Sequence, residues 1–443
     1  MSKLLLTGPS IFTNDSPDAF IEQGAVLIED GIVRQVGSIE NIKHDNPDVV
    51  VENIGQGLLT PGLVNLHHHL YSSFARGWNP NCTSPTNFKE ILERIWWRLD
   101  EGIELDDIYY SALVGLSQSI LSGVTAVVDH HSSQRIIIGS LDRIASAFNL
   151  IGLRGSPCFE LTNRAGNKAF ESGLKETVDS LSKWPYGGME NRLSAMVGLH
   201  ASMTLSDDNL KIISEATRPY SPGYHFHLAE DEIDQKISLE KYGQRAVHRF
   251  AKYGLLSERS LAVHGVHLNQ SEIGLLRSSK TNLALCARSN QNNAVGFAPW
   301  WDYENLSIGL GTDGIGSDML QEAKSSLYLS RHEKIDPDFG FGQIGEMMLR
   351  NNPAIFEKLT GMKVGRIAPG YPADLVLWRY NSPTPISGDN IIGHYLYGLC
   401  DLAADSVWID GTKILSNRKF VKFDYDNMLI EARKLAQSLW ERI

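Results

Sequence analysis

Cysteine is scarce: the 443-residue chain has four, at positions 82, 158, 286 and 400, and no CxxC pair. That spacing argues against a disulfide framework or a Cys-rich zinc site and makes a reducing cytoplasm the simplest compartment. Basic charge is also in deficit, with 41 Lys and Arg against 52 Asp and Glu and a net charge of -11. Nucleic-acid binding draws most of its affinity from a basic footprint, and anionic membranes recruit polybasic patches, so neither partner is expected. No apolar run approaches the roughly 18 residues that span a bilayer. The opening MSKLLLTGPS is too short in apolar residues for a signal-peptide core. The P-loop, GxSxG and HExxH motifs are missing as well. Pro157-Cys158 is followed by Phe-Glu-Leu rather than the second cysteine of a PCxxC deaminase signature.

What is present is ordinary globular composition, 42 % hydrophobic and 21 % charged, enough for a large core. Both ends read as short alternating strands with Gly and Asp turns: KLLLTG, GAVLIED and GIVRQVG near the start, ADLVLWRY and DSVWIDGTKILSNRKFV near the finish. They predict one small β domain, a β-sandwich, composed of residues 1–58 and 368–421, followed by a C-terminal helix over 422–443. The middle, 59–367, alternates short apolar strands with amphipathic helical stretches. Candidate strands lie at 59–66, 124–130, 153–159, 193–199, 223–228, 260–264, 281–286 and 306–312. Eight βα units over this length predict an α/β fold, a (β/α)8 TIM barrel, whose usual size is roughly 250 residues plus insertions. A doubly wound open sheet is the alternative, but it would want a Gly-rich phosphate turn. Residues 78–100 form an insertion after strand one that is placed to cover a pocket.

The most informative stretch is TPGLVNLHHHLYSSFARG. Side chains at i and i+2 of a strand share a face, so His67 and His69 point together into the barrel and His68 points away. An HxH pair alone is more often a hydrogen-bonding cluster than a metal site. Here HFHLAED places His227 at the end of strand five with Glu230 three residues on. LAVHG places His264 at the end of strand six, and LGTDG places Asp313 at the end of strand eight. The carboxyl ends of barrel strands converge on one mouth. The pattern therefore predicts that His67, His69, His227 and Asp313 bind one divalent metal ion. Such an ion lowers the pKa of water from about 16 toward ~7. Asp313 is then placed to accept the proton of water, Glu230 to carry it to substrate and leaving group, and His264 to orient the attacking species or stabilise the tetrahedral one. Imidazole and carboxylate suit zinc and iron alike; zinc is the first expectation.

Tyr71, Glu160, Arg288 and Asn290 sit near strand ends and are candidates to hydrogen-bond a heterocycle, although loop structure explains each equally well. Arg288 has a plain alternative in pairing with a helix carboxylate. Trp96 and Trp97 read more readily as packing than as pocket lining. His225 shares the face of His227 but lies deeper, and packing is its expected role.

HHH after PGLVN, HFHLAE, VHG and GTDG resemble the amidohydrolase superfamily, in the order and spacing of its mononuclear aminohydrolase branch. LERIWWRLDE, VVDHHSS, CFELTNR, ARSNQNN, LGTDGIGSDM and YNSPTPISGDNIIGHYLYG are similar to the SsnA-type aminohydrolases associated with purine catabolism. The resemblance covers essentially the whole chain and implies the same ligand and proton-shuttle assignments. It implies further that His200 contacts substrate, that the chain is a homodimer, and that a single metal is held, since no lysine stands near strand four. Ser202-Met203 departs from the Pro-aromatic pair frequent in relatives. The implied activity is deamination of a small, purine-like amino-heterocycle with release of ammonia. The alternatives are displacement of alkylamine or chloride from a triazine-like ring and, more remotely, a non-catalytic scaffold.

Overall fold

The computed structural model describes residues 3–16, 19–188 and 192–443. Eight parallel strands form one sheet in sequential order. We label them β1 (Leu63–His68), β2 (Val124–His131), β3 (Arg154–Leu161), β4 (Val197–Leu199), β5 (Tyr224–Leu228), β6 (Leu261–His264), β7 (Asn282–Leu285) and β8 (Ile308–Leu310). Every residue of these strands is buried, as expected where helices cover a parallel sheet from outside and side chains fill it from within. A parallel bridge between His68 and Asp313, with the Thr312 and Asp313 N–H groups both donating to the His67 carbonyl at 3.0 Å, joins the last strand to the first. The result is the expected (β/α)8 barrel.

Both chain ends supply a β-sandwich. One sheet has four strands, from Lys3–Thr7, Gly24–Glu29, Ile32–Ser38 and Val50–Asn53. The other has seven and pairs Leu58–Pro61 with Leu375–Trp378 at its centre. Leu6, Val26, Ile28, Leu59, Leu375 and Trp408 pack between the two. The expected strand over 59–66 is thus two strands, one in each domain. Gly62 is the joint: a Cβ there would lie 2.0 Å from Thr125 Oγ1, so only glycine lets the chain cross from sandwich to barrel.

A buried ion cluster ties the domains together. The Arg154 guanidinium on β3 donates from Nε to Asp374 Oδ2 at 2.6 Å and from Nη2 to Asp374 Oδ1 at 3.1 Å, and it also pairs with Asp410. Arg154→Met would leave these carboxylates without their buried partner. It is expected to destabilise the protein by about 3–5 kcal/mol, measured as a shift in urea midpoint.

The insertion after β1 folds into Phe88–Ile91, a π-helical turn Leu92–Trp96 and helix Trp97–Gly102. It packs through Phe88, Leu92, Trp96 and Trp97 onto Met203, Ile233 and Val295 of later loops, forming a small apolar cluster over the barrel mouth. The C-terminal helix Tyr425–Arg442 braces its base, with Trp440 Nε1 donating to the Phe74 carbonyl at 2.7 Å and Arg442 paired with Asp107. Among the described residues no helix is long and apolar enough to cross a membrane.

Candidate active site

The strand ends bring the predicted ligands together. His67 Nε2 and His69 Nε2 lie 3.6 and 3.3 Å from Asp313 Oδ1, and His69 Nε2 lies 3.1 Å from His227 Nε2. His264 Nε2 stands 3.8 Å from Asp313 Oδ2 and 3.5 Å from Glu230 Oε2. His264 and Asp313 occupy the left-handed region of backbone space, φ 72° and 53°. For a histidine that conformation is uncommon, and such residues gather at sites where the surroundings over-determine them.

The hydrogen bonds on the far side of each ring decide what the near side offers. A carbonyl oxygen only accepts, so His69 Nδ1 donates to the His130 carbonyl at 2.6 Å and His227 Nδ1 to the His200 carbonyl at 2.9 Å. His264 Nδ1 donates to Asn290 Oδ1 at 2.8 Å. His67 Nδ1 pairs with His225 Nε2 at 2.8 Å. Burial keeps the imidazoles neutral, lowering His67 and His227 well below and His69 and His264 below the usual histidine pKa. Neutral rings protonated on Nδ1 carry a lone pair on Nε2. In His69 and His227 those lone pairs face each other at 3.1 Å, a repulsive contact unless a cation lies between them. Two imidazoles bound at the ~2.0–2.1 Å typical of tetrahedral zinc would stand about 3.3 Å apart. His67 Nε2 and His264 Nε2 are buried and have no hydrogen-bond partner among the described residues. The donor set fits a divalent metal ion. His67, His69 and Asp313 form one group able to hold such an ion, and His67, His227 and His264 another.

Two carboxylates are driven apart. Burial, followed by the charge of Asp313, pushes Glu230 well above the usual carboxyl range and so favours its protonated form. Burial acts the same way on Asp313, but the close approach of His67, with His69 and His264 beside it, outweighs it and holds Asp313 well below that range. Neighbouring titratable groups separated in this way divide the acid and base roles between them.

The remaining predictions divide. A cleft of about 760 Å³, open to solvent at its mouth, is lined by His69, Tyr71, Glu160, His200, His227, Glu230 and Asp313. Burial lowers His200 to about 4, and its Nδ1 pairs with Thr204 Oγ1 at 2.8 Å. Arg288 and Asn290 do not line this cleft. The Arg288 backbone N–H donates to Glu322 Oε1 at 3.2 Å, on the helix Met319–Lys334, and its positive charge favours the ionised form of that carboxyl. Asn290 acts instead through His264.

Sequence reasoning missed several groups. Ser289 donates to Asp313 Oδ2 at 2.6 Å and Asn293 Nδ2 to Glu230 Oε1 at 3.3 Å. Their i, i+4 spacing at the end of β7 puts both on one face of helix Ala287–Asn292 and its C-cap, a signal that was available. Trp96 and Trp97 line the cleft, because the wide turn at Leu92–Trp96 brings the insertion down over the mouth. His225 does more than pack. Beyond its bond to His67, His225 Nδ1 lies 3.5 Å from Cys158 Sγ, which donates to the Asp129 carbonyl at 3.4 Å. This chain fixes the tautomer of His67. His225→Leu is expected to weaken metal affinity by roughly 10–100-fold, read by competition with a chelating dye.

The sequence profile of the Amidohydrolase family matches residues 58–414. The chain belongs to this family. A 5-methylthioadenosine/S-adenosylhomocysteine deaminase of Syntrophomonas wolfei is 29 % identical over 99 % of both chains. Among solved structures, an adenosine deaminase from Xanthomonas campestris with bound zinc superposes with a TM-score of 0.83 at 20 % identity, covering 99 % of this chain and 98 % of that one. Atrazine chlorohydrolase from Arthrobacter aurescens, complexed with zinc, superposes with a TM-score of 0.81 at 20 % identity, covering 98 % and 100 %.

Proposed function

We propose that this amidohydrolase is a metal-dependent aminohydrolase acting on an amino-substituted, purine-like heterocycle. His67, His69, His227 and Asp313 would hold one divalent ion, zinc, whose contribution when bound is Lewis acidity and an activated water. Each other group has a task that follows from its hydrogen bonds. His264 donates through Nδ1 to Asn290, so its Nε2 accepts; it orients the attacking water rather than donating to an oxyanion. Asp313, fixed by Ser289 and by the Gly314 N–H at 2.6 Å, takes a proton from that water. Glu230 delivers its proton to the substrate ring nitrogen, takes up the proton of the hydroxyl now on the ring carbon and passes it to the departing amine, and the proton held by Asp313 returns to Glu230 for the next turnover. The water oxygen bonds to the ring carbon, the carbon–nitrogen bond breaks, and ammonia leaves.

The observation that carries this reading is Glu230, a part-buried carboxyl in the cleft 3.5 Å from His264, whose protonated form its surroundings favour. An amine needs a proton in order to depart, and chloride does not. A carboxyl at the cleft whose protonated form is favoured therefore supports amine release over dehalogenation of a triazine-like ring. The complete ligand and shuttle set weighs against a non-catalytic scaffold. The test is ammonia release by zinc-replete protein across aminopurines, oxidised purines, aminopyrimidines and aminotriazines, with Glu230→Gln protein as the blank. Release from the purine class, absent in the variant, supports the reading. Chloride release from a halotriazine without ammonia from any ring overturns it.

A further inference from the structure

The cleft is one-sided in charge. Besides Glu230, which serves as a protonated acid, five acidic side chains line it, Asp100, Glu160, Asp231, Asp234 and Asp313, while among the described residues no lysine or arginine does. A divalent ion at the imidazoles, set against Asp313, does not reverse that balance at the distal wall, where the lid helix and β3 meet. There the nearest cation is Arg164, whose side chain is 8 % exposed. It stands behind Asp100 and is occupied: Nη2 pairs with Asp100 Oδ2 and donates to Ser132 Oγ at 3.2 Å, and the guanidinium lies 5.1 Å over the Trp97 ring. Its Nε and Nη1 have no hydrogen-bond partner among the described residues. Nη1 has only a distant ion pair with Glu101, at 3.8 Å. Asp100, 1 % exposed, keeps Oδ1 unpartnered, and so does Trp97 its indole N–H, both on residues that line the cleft. The distal wall thus holds a buried acceptor and one buried neutral donor, both unpartnered among the described residues, and Asp100 neutralises the cation beside them.

We propose that this cleft admits neutral and cationic amino-heterocycles and refuses those bearing a phosphate or carboxylate, and that Asp100 sets the rule by occupying Arg164. The inference rests on the aminohydrolase reading for the reacting end of the substrate and adds to it the charge class of the rest. Its physical basis is that an anion entering the cleft loses water, meets carboxylates and aromatic faces, and finds no free cation in return.

Matched pairs test it: adenosine against adenosine 5′-monophosphate, and adenosine 5′-carboxamide against adenosine 5′-carboxylate. Binding is read by calorimetric titration into zinc-loaded Glu230→Gln protein, and ammonia release is read on the unaltered protein. The neutral member is expected to bind tighter by on the order of 100-fold, as an uncompensated buried charge predicts. In Asp100→Asn, where the guanidinium loses its partner, the gap should narrow roughly tenfold, and Asp100→Asn/Arg164→Gln should restore it, by the same charge argument. A phosphorylated or carboxylated member that binds as tightly as its neutral partner overturns the proposal; this comparison needs no variant at position 100. An unchanged gap in folded Asp100→Asn protein removes Asp100 from the rule. Tight, selective binding of neutral members with no ammonia from the unaltered protein overturns the aminohydrolase reading and leaves the charge rule standing. Failure of every pair to bind overturns both.

Discussion

Glu230→Gln is expected to lower kcat by about 10²–10⁴-fold while the protein keeps its metal. The variant is close to isosteric, and Glu230 lies outside the His67, His69, His227 and Asp313 set, so the lone-pair contact that calls for a cation is untouched. What disappears is a titratable proton. The amide of glutamine neither delivers a proton to a ring nitrogen nor takes one up between the two transfers. Asn293 Nδ2 now donates to Glu230 Oε1 at 3.3 Å, and the glutamine carbonyl can accept the same bond, so the side chain should stay in place. Metal content by atomic emission and kcat by ammonia release, measured on one preparation, check both halves. Unchanged turnover would remove Glu230 from proton transfer. Lost metal together with lost turnover would move it into the ligand set.

The site was legible wherever the reaction demands a particular residue type at a strand end. His67, His69, His227, His264 and Asp313 each close a parallel strand or lie just past one, and the barrel's geometry converts those separate positions into one cluster. Tyr71, Glu160 and His200 follow the same logic. The partners of these residues were less legible, because a supporting hydrogen bond can come from many residue types. Asn290 and Ser289 are adjacent in sequence, yet one orients His264 and the other Asp313, an outcome of helix phase rather than of composition. His225 illustrates the limit of reading one strand at a time. Its face was evident from its spacing to His227, but its partner, His67, is 158 residues away. The split at Gly62 and the lid formed by Phe88–Gly102 likewise depend on packing between distant segments, which local periodicity does not encode. The lone-pair contact between His69 and His227 required tautomers, and those are set by the carbonyls of His130 and His200.

Asp313→Asn is expected to weaken metal binding at least ~100-fold, beyond the 10–100-fold that loss of a residue supporting a ligand brings, and to abolish most turnover with it. The backbone accommodates the change, since asparagine is among the few residues that adopt the left-handed conformation found there, φ 53°. The damage is chemical. Asp313 Oδ1 sits between His69 and His67 and also accepts the Gly314 N–H, while Oδ2 accepts the Ser289 hydroxyl and faces His264. Asparagine retains one acceptor oxygen and turns an NH2 toward the other set of partners, so it loses both the negative charge opposite the ion and the base that takes a proton from water. Stability should register the same loss. A ligand present at 1,000 times its Kd stabilises the folded state by about 4 kcal/mol, so unaltered protein should gain thermal stability from zinc and lose it to a chelator. The variant at the same zinc concentration should gain far less. Set beside Glu230→Gln, the two variants separate the roles: one keeps metal and loses turnover, the other loses both. An Asp313→Asn protein that holds zinc as tightly as the unaltered chain would take Asp313 out of the ligand set and leave it only as a base.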